Sequence, residues 1–174
     1  MTMTPFPVND FTDATAKAIY DKAIVDRRGA PSLDAMRDLK VAADAQREQS
    51  LERGPLLSAA CMYLALAQEK TAIGSTDPEK FFHFAANAFR DLGLLQRAAQ
   101  CYYNSALLGY EKYSGGRSPD ASFARRSAGR AKSIFADLGE DEHSDDAHVL
   151  QQVIKRAEFC DKKNYLLALV FFLW

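Results

Sequence analysis

A five-residue phrase occurs twice in this chain and restricts its fold more than any other feature. Residues 89 to 93 read Phe-Arg-Asp-Leu-Gly and residues 135 to 139 read Phe-Ala-Asp-Leu-Gly, with the two glycines 46 residues apart. Phenylalanine and leucine three positions apart share one face of a helix. A glycine directly after them takes the left-handed backbone that ends a helix. Ala85 and Ala131 stand at matching positions one turn before the phenylalanines, and Ala88 matches Ile134. A small residue there lets a partner helix approach closely. A helix-ending phrase recurring at this interval marks helical hairpins arranged in series.

Glycine and proline divide the rest of the chain into pieces of helical length. Helices are expected over 10–28, closed by Gly29; from Ser32 into the polar run 44–53; and from Gly54-Pro55 to Gly74. Thr76-Asp77-Pro78 opens a fourth helix, which stops at Gly93, and a fifth runs through Tyr110 to Ser114-Gly115-Gly116. Ser118-Pro119 opens a sixth, ending at Gly139, and Ser144 caps a seventh. No segment alternates with period two for long enough to argue a strand. The expected fold is all-α, about seven helices in stacked antiparallel hairpins. It divides into an extended segment 1–9, a helical-repeat domain 10–164 and an apolar segment 165–174 packed on the same domain.

The segment from Phe82 to Tyr110, with Ala85, Ala86, Phe89, Gly93, Ala98 and Tyr102, resembles a tetratricopeptide repeat. Cys101-Tyr102-Tyr103 followed by Ala106-Leu107-Leu108 is similar to the variant found in the soluble NSF attachment proteins. Phe135 and Gly139 repeat the first half of the pattern. Tyr110 stands near the position of the usual closing proline, and Ser105 stands where a buried alanine is common. The resemblance implies an α-α superhelix that binds other proteins on a concave face, with no catalysis and no cofactor of its own.

Composition narrows the function classes. The 174 residues suit one domain with a real core. The formal charge of −1 shows no basic excess of the kind a nucleic-acid binder carries. Cys61, Cys101 and Cys160 are far apart, odd in number and form no CxxC pair, so neither a zinc site nor a disulfide framework is indicated. They are expected to be small buried hydrophobes in a reducing, cytoplasmic protein. No basic start or apolar run of a secretory signal is present at the N-terminus.

Three groups of residues carry possible chemistry. The run from Glu140 to His148, with His143 and His148, has the right donor types for a metal, but its acids also suit a solvated helix start. His83, between Phe82 and Phe84, fits a hydrogen-bonded boundary position better than a catalytic base. Arg125, Arg126, Arg130 and Lys132 cluster on the sixth expected helix, and Arg117 lies in the turn before it. Arg126 and Arg130 are one turn apart and share a face, so they can grip a carboxylate or phosphate in bidentate fashion. This is the expected recognition patch, with Tyr110 and Tyr113 as possible groove anchors.

The final ten residues, Tyr165 to Trp174, are apolar and uncharged. At roughly 15 Å as a helix they are too short to span a bilayer alone. They can seal the helical stack, dock a partner or second copy with Trp174 among the protein-binding residues, or sit at a membrane interface. The functional expectation is a protein or peptide binder of adaptor type. A secretion-type chaperone holding an apolar client, a small helical enzyme using a histidine and a membrane-associated protein remain its rivals.

Overall fold

A computed structural model of the chain describes residues 33–48, 53–72 and 77–172; at 33–36, 38, 39, 69, 72 and 162–172 it describes the backbone alone. Six helices fill the described residues: α1 (Leu33–Glu48), α2 (Arg53–Ala72), α3 (Pro78–Asp91), α4 (Leu95–Ser114), α5 (Ser122–Asp137) and α6 (Asp141–Phe172). The chain is all-α, as its punctuation predicts, and no strand occurs among the described residues. The expected helix over 10–28, the Ser32 cap, Gly74 and Trp174 lie outside them.

Each helix packs against the one before and the one after. Consecutive helices run antiparallel, because short turns leave no room for a crossover. The repeated phrase makes two of these turns. Gly93 has φ 75° and Gly139 has φ 72°. Leu94 N–H donates to the Phe89 carbonyl and Gly93 N–H to that of Arg90, both at 2.9 Å. Glu140 and Gly139 repeat the pattern onto Phe135 and Ala136 at 2.9 and 3.0 Å. Both are Schellman caps. A third closes α4, where Gly116 has φ 69° and Arg117 N–H reaches the Lys112 carbonyl.

Helices two apart run parallel and also touch. His83 and Asn87 of α3 meet Ser127 and Arg130 of α5, and Tyr113 of α4 donates a hydrogen bond to Asp161 of α6. Gln96 Nε2 joins the α3–α4 turn to the α5–α6 turn through Glu140 Oε1 at 3.0 Å. These contacts join residues 43 to 48 apart, close to the interval between the repeated phrases. The sequence repeat is therefore also a spatial one, with the α5–α6 hairpin laid beside α3–α4.

Alanines and aromatics interleave in the main core. Tyr63, Phe82, Phe89 and Tyr102 are wholly or almost wholly buried among Ala59, Ala60, Ala85, Ala86, Ala98 and Ala99. A second cluster of Ala106, Ala121, Ala124, Ala128, Leu150 and Ile154 joins α4, α5 and α6. At their crossing, a Cβ on Gly109 would lie 3.0 Å from that of Ala124.

Several expectations need correction. Ser118-Pro119 does not open α5; the helix starts at Ser122 with Ala121 at its N-cap, and the preceding Asp120 accepts the Ser122 N–H at 2.8 Å. Gly54 and Pro55 lie inside the first turn of α2, where proline's missing N–H costs nothing. Ser144 sits within α6, buried, its hydroxyl 3.3 Å from the Lys132 carbonyl. Cys160 is exposed, unlike the buried Cys61 and Cys101. The reason is position around the helix: Cys160 shares a stripe of α6 with the exposed Val149, Val153 and Arg156, away from the buried Leu150 and Ile154.

Candidate functional site

His83 stands at the meeting of α3, α4 and α5. Its ring packs edge-on to Tyr102 at 5.2 Å and against Phe123 at 4.9 Å. One nitrogen, Nε2, lies 3.1 Å from Arg130 Nη1, and the other, Nδ1, lies 3.1 Å from Ser127 Oγ. A guanidinium has only donors, so Nε2 must accept and Nδ1 must carry the proton. The polarity of the rest of the chain follows. Nδ1–H donates to Ser127 Oγ, Ser127 donates to Ser105 Oγ at 3.3 Å, and Ser105 donates to the Glu79 carbonyl at 2.8 Å. Every hydroxyl donates once and accepts once, which lets Ser105 and Ser127 be wholly buried.

This polarity decides the chemistry of the pair. A histidine that donates to a serine cannot take that serine's proton, and Ser127 has no exposed surface. The Ser127–His83 pair is therefore not a nucleophile with its general base. His83 is held neutral: burial and the surrounding charges of Arg130, Arg126, Arg90 and Arg47 push its pKa down to about 4.

Arg130 is fixed on three sides. Its Nη1 reaches His83 and, at 3.4 Å, Asn87 Oδ1, while its Cζ lies 5.4 Å from the centre of the Tyr102 ring. Tyr102 in turn donates its hydroxyl to Asn87 Oδ1 at 2.5 Å. Arg126 and Arg130 are exposed, and neither has a carboxylate within ion-pair distance among the described residues. Arg90, by contrast, is paired with Asp91 at 2.8 Å. Arg126 and Arg130, with Arg47 over the Phe84 ring, carry the excess of positive charge around His83.

The arginines expected to form one patch thus divide. Arg125 faces α6, its Nε 3.1 Å from Glu158 Oε2 at ion-pair distance without hydrogen-bond alignment. Arg117 is exposed at the α4 cap. Tyr110 and Tyr113 pack on the second cluster between α4 and α6 and are helix contacts; the Asp161 carboxylate pushes the Tyr113 hydroxyl up to about 12. Sequence reasoning left out Asn87 and Ser127, because contacts between α3 and α5 set their roles. Their offset from Arg130 and His83, close to the repeat interval, was the available signal.

The acid-histidine run is taken up by packing. His143 stacks on Phe135 at 5.2 Å and approaches Glu140 at 3.4 Å. His148 Nδ1 faces the Lys132 ammonium at 3.1 Å, an arrangement that opposes a cation. No three metal-ligating side chains converge among the described residues, and no described helix is long and apolar enough to cross a membrane. In comparisons with known proteins, no family model, no curated protein and no solved structure matches the chain.

Proposed function

We propose that this chain is a non-catalytic protein-interaction module of the tetratricopeptide-like kind, an adaptor that receives an acidic partner segment on the α3–α5 face. One observation carries the reading. Arg126 and Arg130 stand one turn apart, exposed and without an ion-paired carboxylate among the described residues, and Arg130 is already held by His83, Asn87 and Tyr102. A buried network that fixes an exposed cation lowers the ordering cost of binding an anion there. Hairpins in series also leave side-by-side helices available to an extended ligand.

The test is an array of acidic peptides probed with the chain and with Arg126→Glu/Arg130→Glu. Charge reversal is expected to weaken binding by more than roughly tenfold. Equal binding by both proteins would remove the α3–α5 face from consideration.

A second reading rests on α6. Val149 is 60% exposed and Phe159 70% exposed, with Val153 between them also open. Such a surface suits a secretion-type chaperone holding an apolar client segment, or a second copy of the chain. Light scattering on the full chain and on one ending at Asn164 separates these possibilities. A larger species that becomes a folded monomer on truncation would favour the second reading.

A further inference from the structure

We propose that the Arg126–Arg130 pair is a receptor for a phosphoryl group on a side chain of the partner, an inference that rests on the interaction-module reading. The argument is one of donors and charge. Arg130 uses Nη1 on His83 and Asn87. That leaves the Nε–Nη2 edge, the edge that forms two parallel bonds to an oxyanion. Arg126, one turn away on the same helix, adds a second guanidinium. Two forks present four N–H donors, which would fill every lone pair on the two oxygens of one carboxylate.

A phosphate monoester offers three oxygens and a charge of about −1.5 to −2. That charge matches the two cations that have no ion-paired carboxylate among the described residues. The neighbouring acids are engaged elsewhere: Asp91 is taken by Arg90, Asp44 by Lys40 and Tyr63, and Asp120, which feels the charge of Arg126, accepts hydrogen bonds from the Ser122 N–H and hydroxyl. His83 adds no repulsion to an arriving anion, and its neutral ring keeps Arg130 in place by accepting a hydrogen bond.

The experiment uses the full chain and three synthetic peptides, Gly-Asp-Ala-X-Ala-Asp-Gly, with X as phosphoserine, glutamate or serine. Binding is followed by NMR on the arginine Nε–H and His83 ring signals. Phosphoserine is expected to move the Arg126, Arg130 and His83 signals and to bind on the order of tenfold tighter than glutamate. Arg130→Lys, which keeps the charge and loses the fork, is expected to cancel that preference while the circular dichroism spectrum stays unchanged.

Equal binding of the phosphoserine and glutamate peptides would overturn the phosphoryl inference and leave the acidic-partner reading standing. Failure of every peptide to move these signals at millimolar concentration would also overturn the inference, and the array with the charge-reversed variant would then judge the reading by itself. Vesicles of phosphatidylcholine with a phosphoinositide form the last arm. If they bind through Arg126 and Arg130 while the phosphopeptide does not, the ligand is a lipid headgroup and the proposal fails.

Discussion

Single residues set the two sharpest constraints on this molecule. Gly93 has a left-handed backbone and nothing within 4 Å of where a Cβ would stand, so its cost on substitution is conformational and not steric. Gly93→Val is expected to lower stability by about 1–2 kcal/mol, because a β-branched residue resists that region. An unchanged melting temperature would sink the account of the α3–α4 cap. His83 works through protonation. Its pKa near 4 lies below the ordinary 6.5, so the unfolded chain binds a proton more readily than the folded one. The stability contributed by neutral His83 is full above pH 6.5 and falls as pH drops from 6.5 toward 4. After discounting for solvent screening at a half-buried site, the effect is on the order of 1–2 kcal/mol. Urea unfolding at pH 7 and pH 5 should show it in the native chain and show less in His83→Gln; identical pH slopes would count against the assignment.

At the scale of elements, the α3–α4 pair is held by an ion cluster as well as by its core. Lys112 of α4 pairs with Asp77 before α3 and, at 3.0 Å, with the buried Glu79 in its first turn. Asp77 has φ 67° and makes no side-chain cap bond. Its carboxylate is spent on Lys112 and Lys80, which hold its pKa below the usual range. Removing Lys112 would leave Glu79 buried without its cation. Lys112→Met should therefore cost about 2 kcal/mol, less than for a fully buried pair because Lys112 is a quarter exposed. Adding Glu79→Gln to Lys112→Met should recover much of that loss. If the two changes simply add in a double-mutant cycle, the pair is not coupled as described.

The whole molecule is governed by nearest-neighbour packing, and that predicts uneven stability. Interior helices α3 and α4 contribute to the core on both sides, with Phe82, Phe89, Ala98, Cys101 and Tyr102 all buried. In the far half of α6, Phe159, Cys160 and Asp161 are exposed. Amide hydrogen exchange should be slowest in α3 and α4 and fastest in α6 beyond Glu158. Equal protection along all six helices would mean that the array unfolds as one unit, contrary to the packing.

What the sequence determined by itself is local. Phe-x-Asp-Leu-Gly ended two helices where expected, because a left-handed glycine and its neighbours decide a cap without distant help. The interleaving of alanine with Phe82, Phe89 and Tyr102 marked core positions, because burial follows helical spacing. Cys160 and the Ser118-Pro119 opening went otherwise: the covered stripe of α6 depends on how α4 and α5 pack against it, and the first helical N–H, that of Ser122, went to Asp120. Tertiary structure alone decided the site. Arg125 and Arg126 are adjacent in sequence, yet one pairs with Glu158 and the other lies near His83. Successive helical residues point about 100° apart, and the elements packed on each side set their partners. The tautomer of His83, the burial of Ser127 and the fixing of Arg130 all arise from laying one hairpin beside the next. That parallel contact between residues more than forty positions apart is coded only faintly in local pattern.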